Sequence, residues 1–406
     1  MRLVANSSMQ VACAALLLAG TAVASAQGTA RRTTASRERA ALARDVRDSL
    51  ARVLRAAAND HAFPGAYAIV GDSRGVLAEF AVGHLDWAKS PVPDRHTLWD
   101  LASLTKVIGT TTSLAQLIES GKVDLDAPVQ RYVPDWTGPG KEAVTVRHLL
   151  THTSGLPAFR PYDQQTHDAD SVAMLIFRTE LERPAGDSTV YSDMGAFMMG
   201  RVIENVSGQR LDKYLRAHVF QPLQMRETMF NPPRSLRLRI APTEFDSLRG
   251  GLVRGKVHDE RAYYMGGVAA HAGLFSSAAD VARFATMLLR GGVLDGKRVL
   301  RPETIGRFTA YADSGRSNRA LGWEKPPAAW AGGGQLMSNR AFGHTGFTGT
   351  SMAIDPELDL YIILLSNRVN PTRNNPRISA VRRGLADAVV SIVRARRGHT
   401  INAGFP

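Results

Sequence analysis

Apolar residues recur at helical spacing near the start of the chain. Leu42, Val46, Leu50 and Leu54 are four residues apart with charged residues between them, which predicts an amphipathic helix from about residue 37 to 59. The same kind of spacing predicts further helices at residues 105–120, 145–151, 195–207, 279–290 and 378–396. Gly291-Gly292 follows the segment at 279–290 and predicts that this helix ends there.

β-like apolar runs lie near both ends of the chain. Residues 66–70 and 76–82 flank a short glycine-bounded turn, which predicts a hairpin. Residues 350–354 and 358–366 form a second pair of runs around Pro356. Because strands lie at both ends and helices between them, we predict an α/β (α+β) fold with one antiparallel sheet, flanking helices and an inserted helical subdomain at about 105–255.

The first residues are typical of a secretory signal. Arg2 precedes a largely apolar run at residues 11–24, and Ala24-Ser25-Ala26 fits the small-x-small cleavage rule. We predict a cleaved signal peptide at 1–26, a flexible basic leader at 27–40 and one domain at 41–397, in a periplasmic or secreted protein. A retained N-terminal anchor is the alternative, although the run is shorter than the roughly 20 residues of a membrane span.

Cysteine content and charge exclude several kinds of chemistry. The single cysteine, Cys13, lies inside the predicted signal, so the mature chain would hold no disulfide, thiol nucleophile or thiolate metal site. The formal charge is +13, but the arginines are scattered and no nucleic-acid module is visible. We therefore expect no nucleic-acid partner, and peripheral contact with anionic envelope polymers instead.

Ser103 and Lys106 are the first candidates for catalysis. They are three residues apart, so a helix that begins near Ser103 would bring both side chains to one face. A neighbouring amine can take the proton of a serine hydroxyl and make it a nucleophile. A serine at a helix N-terminus also lies beside main-chain N–H groups that can stabilise an oxyanion. This motif is weak by itself, because S-x-x-K recurs by chance.

Three further motifs accompany this pair in the chain. They are Arg-His-Leu-Leu-Thr-His-Thr-Ser-Gly-Leu-Pro at 147–157, Tyr-Ser-Asp at 191–193 and Gly-His-Thr-Gly at 343–346. With the S-x-x-K at 103–106, the chain over about 63–366 resembles the serine β-lactamase and penicillin-binding-protein superfamily, in its class C β-lactamase, DD-peptidase and family VIII esterase branch. Tyr-Ser-Asp takes the place of the family's Y-x-N, and Gly-His-Thr-Gly that of its K-T-G or H-T-G.

The resemblance implies a role for each matching residue. Ser103 would form the acyl-enzyme, Lys106 would activate it, and Tyr191 would relay protons to the leaving group. His344 would line the opposite wall of the cleft. The oxyanion hole would consist of the main-chain N–H groups of Ser103 and Phe347. The resemblance implies neither a metal nor an organic cofactor.

Two positions depart from the family pattern, and neighbouring residues would contact the substrate. His344 replaces the lysine of class C β-lactamases, and a histidine is charged only partly near neutrality. Asp193 replaces an asparagine, and a carboxylate near Lys106 would favour the ammonium form. We therefore hypothesise that proton transfer depends more on Tyr191 and that anionic β-lactams are poor substrates. Asp193, Thr345 and Gly346 are the candidate substrate-binding residues.

Other motifs are better explained by structure. Residues 71–75 fit G-x-S-x-G, but β-like runs on both sides predict that Ser73 lies in a hairpin turn. His148 and His152 have the i,i+4 spacing of a zinc site without a third ligand. Residues 258–259 are expected to hold a loop or to touch the substrate.

We therefore predict an exported serine acyl-hydrolase that acts on a small molecule or on a peptidoglycan-derived peptide. A DD-carboxypeptidase-like and an esterase activity are left unranked. The alternatives are a class C-like β-lactamase and a penicillin-binding sensor or scaffold that acylates with negligible turnover. The sequence leaves the oligomeric state open.

Overall fold

The computed structural model describes residues 35–88, 90–312, 317–326, 330 and 332–397. The predicted signal peptide at 1–26 lies outside the described residues. The chain divides into two units, residues 1–45 and 46–406. The described part of the first unit is helical from residue 35. Residues 35–40, which the sequence assigned to the leader, are helical, as their Arg, Glu and Ala residues favour.

The helices, in chain order, are α1 35–59, α2 Thr112–Glu119, α3 Val146–Leu150, α4 Ala169–Arg178, α5 Asp193–Ser207, α6 Leu211–Leu215, α7 Glu260–Tyr264, α8 Ala278–Leu289, α9 Pro302–Thr309 and α10 Ile378–Arg397. A π-helical segment, Lys106–Thr111, leads into α2, and a second one, Arg216–Phe220, follows α6. Short 3-10 turns cover Val129–Arg131, Lys141–Ala143, Tyr162–Gln164 and Arg234–Arg239.

The strands, in chain order, are β1 Gly65–Asp72, β2 Gly75–Gly83, β3 Trp99–Asp100, β4 Met229–Phe230, β5 Phe245–Asp246, β6 Gly251–Leu252, β7 Leu274–Ser276, β8 Val293–Leu294, β9 Lys297–Arg298, β10 Phe342–Thr345, β11 Ser351–Asp355 and β12 Leu360–Ser366. The predicted hairpin is confirmed as β1–β2. Ser73 lies in its turn and donates its hydroxyl to Asp359 at 2.9 Å, so a strand rather than a helix follows this serine.

Strands from both ends of the chain form the main sheet. Its order is β10-β11-β12-β1-β2, and every neighbouring pair is antiparallel. β1 and β12 are buried at every position, and α8 packs against both. A strand that is covered on both faces has a continuous apolar sequence rather than an alternating one, as Leu360–Ser366 does. The predicted architecture is confirmed.

A second, three-stranded sheet, in the order β3-β7-β4, positions the segment before α2. Trp99 and Asp100 pair with β7, and the N–H of Leu101 donates to the carbonyl of Leu274 at 2.9 Å. The chain between β3 and β7 is mainly helical, with the short strands β4, β5 and β6 near its end. In the described residues, no helix is both long enough and apolar enough to cross a bilayer.

Candidate active site

Ser103 lies in a tight turn between β3 and the π-helical segment. The buried carboxylate of Asp100 fixes this turn, since it accepts from the N–H of Ala102 at 2.9 Å and from that of His258 at 2.6 Å. Ala102 has a φ of 45°, a left-handed conformation that is costly for a residue with a side chain. The turn places Ser103 at the start of the helix, as the sequence predicts.

Lys106 is buried directly beneath this serine. Its Nζ lies 2.9 Å from Ser103 Oγ, 2.9 Å from the carbonyl oxygen of His271 and 2.8 Å from Asp193 Oδ1. These three acceptors match the three N–H bonds of an ammonium group. Burial opposes the charge, but the carboxylate of Asp193 and the phenol of Tyr191 outweigh it and raise the pKa of Lys106.

Asp193 connects Lys106 to a second cation that the sequence analysis missed. Its Oδ2 accepts from Nη2 of Arg261 at 2.6 Å, and Arg261 also contacts Asp259 at 3.3 Å. Burial favours the neutral acid, yet the positive charges around it, first that of Lys106, hold the pKa of Asp193 well below its usual range. Asp193 begins α5, which Ser192 caps by accepting from the N–H of Gly195 at 3.1 Å.

Tyr191 completes the helical side of the site. The centroid of its ring lies 4.6 Å from the centroid of the His152 ring. Lys106 Nζ lies 5.0 Å from the same Tyr191 centroid. The ring of His152 is fixed because its Nδ1 accepts from the N–H of Ser192 at 3.1 Å. The hydroxyl of Tyr191 is buried and has no hydrogen-bond partner among the described residues. Burial raises the pKa of Tyr191, against the effect of Lys106.

His344 forms part of the opposite wall, on β10. Its Nδ1–H donates to the carbonyl oxygen of Thr345 at 2.8 Å, which leaves Nε2 as a buried acceptor without a partner in the described chain. Burial lowers the pKa of His344 to about 4. The imidazole is therefore neutral at pH 7, whereas partial charge was expected from an unperturbed histidine.

The loop after β10 fits closely against the segment that precedes the serine. Thr348 Oγ1 donates to the carbonyl of Asp100 at 2.7 Å, and Thr350 Oγ1 to that of Leu101 at 2.9 Å. A Cβ on Gly346 would lie 2.0 Å from Thr350 Oγ1 and 2.4 Å from the Leu101 oxygen, so only glycine fits. Phe347 follows with its side chain 49% exposed.

The predicted site residues come together around one cleft of about 520 Å³. Ser103, Tyr191, Asp193, His344, Thr345 and Phe347 line it. Sequence reasoning missed further lining residues, namely Phe159, Arg261, His271, Arg319, Glu324 and Arg373. Within the described residues, five buried polar atoms at this cleft have no hydrogen-bond partner: Tyr191 Oη, His271 Nδ1, Arg319 Nε, Arg319 Nη1 and His344 Nε2. Buried polar atoms are rarely left unpaired in proteins, so these five can bond to water or to a ligand.

His148 and His152, whose spacing in the sequence is that of a zinc site, do not lie on one helix. α3 ends at Leu150, and His152 has a φ of 58°. His148 Nδ1 accepts from the N–H of Thr145 at 3.2 Å in a capping box. In the described ranges no group of three or more histidine, cysteine or acidic residues is arranged to hold a metal ion.

His258 and its acidic neighbour Asp259 hold loops and line the cleft. His258 Nε2 bonds to Glu244 Oε2 at 2.9 Å. Asp259 caps α7 by accepting from the N–H of Ala262 at 2.9 Å. Its same oxygen lies 3.0 Å from Nε2 of His271. The role of holding loops is therefore observed, and both residues also line the cleft, so contact with the substrate stays a prediction.

Comparisons with known proteins agree with this geometry. The Beta-lactamase family model matches residues 50–386. A provisionally named D-alanyl-D-alanine carboxypeptidase from Escherichia coli strain K12 is 34% identical over 301 residues, which is 67% of this chain and 69% of that protein.

Two solved structures share the fold. A penicillin-binding protein homologue from Caulobacter crescentus has a TM-score of 0.67 and 22% identity, and the match covers 86% of this chain and 97% of that one. EstCE1, a hydrolase with promiscuous acyltransferase activity, has a TM-score of 0.69 and 21% identity, over 86% of this chain and 99% of its own. The chain therefore belongs to the Beta-lactamase family and is a serine hydrolase.

Proposed function

We propose that the protein is a DD-carboxypeptidase-like acyl-hydrolase that forms an acyl-enzyme on Ser103. The observation that carries this proposal is the 2.9 Å hydrogen bond from Lys106 Nζ to Ser103 Oγ at the base of the cleft. Ser103 Oγ attacks the carbonyl carbon of the penultimate D-alanine, and the bond to the nitrogen of the last residue breaks. Water then hydrolyses the serine ester and returns the proton to Oγ.

The proton path follows from the charges on the helical wall. The raised pKa of Lys106 keeps it an ammonium, which stabilises the developing alkoxide of Ser103. Tyr191 is the relay, because its buried hydroxyl is close enough to Ser103 and Lys106 for both to lower its pKa against the effect of burial. It accepts the proton of Oγ while it gives its own to the leaving amine, so that it never has to ionise. This arrangement agrees with its raised pKa.

The main-chain N–H groups of Ser103 and Phe347 are proposed as the oxyanion hole. Within the described part of the chain, neither donates to a main-chain carbonyl. Two such donors stabilise the oxygen of a tetrahedral intermediate. Thr345 and Gly346 would lie along the substrate backbone at this edge.

Arg319 supports a substrate with a free carboxylate. Its side chain is buried, lines the cleft and lies 3.3 Å from Glu324, while its Nε has no partner in the described residues. A guanidinium is suited to bind a carboxylate. Because His344 is neutral, positive charge at this wall comes from arginines, and Arg319 is one of those that line the cleft. The name of the Escherichia coli relative agrees with such a peptide substrate.

Small esters are the second candidate substrates. Phe159 and Phe347 line the cleft with 50% and 49% of their side chains exposed, and exposed aromatic rings bind apolar groups. EstCE1, which shares the fold, is described as a hydrolase with acyltransferase activity. We further propose that the protein acts in the cell envelope after export, where its positive charge favours anionic polymers.

Stopped-flow kinetics test the proposal. p-Nitrophenyl acetate and butyrate, nitrocefin and a D-Ala-D-Ala peptide are compared for the wild type and Ser103→Ala. We expect a burst with the esters that the variant lacks, and steady-state turnover of the peptide that exceeds that of nitrocefin. Equal activity of both proteins would refute Ser103 as the nucleophile. A burst without turnover on any of the substrates would favour the penicillin-binding sensor.

A further inference from the structure

Five residues form a closed ring of contacts beneath Ser103. Lys106 Nζ lies 2.8 Å from Asp193 Oδ1, and Asp193 Oδ2 accepts from Arg261 at 2.6 Å. Arg261 contacts Asp259 Oδ2 at 3.3 Å, and Asp259 Oδ1 lies 3.0 Å from Nε2 of His271. The carbonyl of His271 accepts from Lys106 at 2.9 Å, which closes the ring.

Asp193 is bound by one cation on each of its oxygens. Lys106 takes Oδ1 and Arg261 takes Oδ2. A carboxylate without a second cation would be free to turn both oxygens toward Lys106 and to compete with Ser103 for its protons. The side chain of Arg261 is only 5% exposed, and such a buried cation is held in place by its two acidic partners.

We propose that Arg261 is a positioning residue that holds Asp193 in a one-oxygen contact with Lys106 and shares its negative charge. The Asp193–Arg261 pair then takes the place of the neutral asparagine found in the related motif. This inference rests on the proposed acyl-enzyme function of Ser103. Arg261 itself acts through Asp193, since its nitrogen atoms contact the two carboxylates rather than Ser103 or Lys106.

The charges around Lys106 come from several elements, and the variants must change only one of them. Ser103 and Tyr191 face it directly, and the ring of His271 is held by Asp259. Other charged or titratable groups that act on its surroundings are His152, Arg319 and His344. Removing Arg261 leaves all of these in place.

The test measures the proton affinity of Lys106 directly. The ε-carbons of lysine are labelled with ¹³C, the Lys106 signal is assigned with Lys106→Met, and its titration is followed by NMR. Arg261→Met should raise the midpoint by about one pH unit, because the full carboxylate charge then acts on Lys106. The double variant Asp193→Asn/Arg261→Met should bring it below the wild-type value. Arg261→Lys should lie close to the wild type.

The acylation burst with p-nitrophenyl acetate provides the second readout. Arg261→Met should slow the burst about 10- to 100-fold, as expected when a reacting group is misplaced. The double variant should recover most of that loss, although it lacks two charged groups. A purely structural role for Arg261 predicts that the double variant is no faster than Arg261→Met, and that result would overturn the inference.

Arg283→Met serves as the matched control. Like Arg261, Arg283 is paired with an aspartate, in its case Asp295, and it also donates to the carbonyl of Leu223, but it does not line the cleft. It should leave both the midpoint and the burst unchanged. If the wild type showed no Ser103-dependent burst while the order of NMR midpoints held, the proposed function would fail and the inference would stand. An unchanged midpoint in Arg261→Met would overturn the inference alone.

Discussion

The two walls of the cleft are stabilised in different ways. On the helical wall, ion pairs connect Lys106, Asp193, Arg261 and Asp259. On the sheet wall, the segment at 342–350 carries a neutral imidazole. It is fixed by hydrogen bonds to main-chain carbonyls, which come from threonine hydroxyls and from the buried guanidinium groups of Arg368 and Arg382. One wall is therefore determined by ion pairs and the other by close fit and hydrogen bonds to the main chain.

This difference separates two sources of activity. In the proposed mechanism, the charges of the helical wall control where the proton of Ser103 goes. The close fit of the sheet wall controls where the N–H of Phe347, a proposed oxyanion donor, lies relative to Ser103. Substitutions that remove charge should therefore change chemistry and leave the fold intact, whereas added volume on the sheet wall should change the geometry and the stability together.

The largest effect is expected from Lys106→Met on the helical wall. The variant removes the only ammonium that contacts Ser103 Oγ in the described structure and keeps a side chain of similar length. The acylation burst should fall by at least about 10³-fold, a loss typical of a catalytic group. Thermal unfolding should show that the fold is retained, because Arg261 still compensates the buried charge of Asp193.

Lys141→Met is the matched control for this variant. Lys106 and Lys141 are both 2% exposed, but Lys141 donates to the carbonyl of Phe177 and packs over Trp136 outside the cleft. Its substitution should leave the burst within about twofold of the wild type. An equal loss of activity in both variants would mean that any buried lysine matters for folding, and the contrast between the walls would fail.

Gly346→Ala should have the next largest effect, on the sheet wall. The new methyl group would lie 2.0 Å from Thr350 Oγ1, so the loop must move away from Leu101. We expect a loss of about 1–3 kcal/mol in the free energy of unfolding from overpacking. The burst should slow about 10- to 100-fold because the N–H of Phe347, the proposed oxyanion donor, is displaced.

Gly384→Ala distinguishes this clash from a general effect of glycine. A Cβ at Gly384, in α10, meets no atom within 4 Å. Alanine in a helix should raise the free energy of unfolding by about 0.5–1 kcal/mol and leave the kinetics unchanged. Normal kinetics in Gly346→Ala would show that the sheet wall tolerates displacement, against its interpretation as the wall of close fit.

Local patterns in the sequence predicted much of the fold. The hairpin β1–β2 and the helices α5 and α8 follow from apolar spacing and turn residues within a few positions. The contact of Ser103 with Lys106 also follows from a helical turn. By contrast, β10 has only four residues, too few to show the alternation of apolar and polar residues that predicts a strand. Its place in the site was predicted from the resemblance of Gly-His-Thr-Gly to a known motif.

Long-range pairing and burial explain what the sequence could not predict. Arg261 lies in α7, a five-residue helix, and nothing local distinguishes it from the many other arginines. Its partner Asp193 is far away in the chain, so the pair exists only through the fold. The neutral state of His344 likewise results from burial on β10, which a single sequence does not reveal.

The smallest effect concerns pH and the neutral histidine of the sheet wall. His344 has a folded-state pKa of about 4, against an ordinary value of about 6.5 in the unfolded chain. Between these values the unfolded state binds more protons, so stability falls as the pH falls from about 6.5 to about 4. His344→Gln removes this contribution and should show a shallower loss of melting temperature over that range.

His152, whose pKa is lowered by burial in the same direction, is present in both proteins and its effect cancels. His218→Gln, at an exposed position, should retain the wild-type slope. A slope in His344→Gln as steep as in the wild type would mean that His344 is charged in the folded protein, and the sheet wall would then share the electrostatic character of the helical wall.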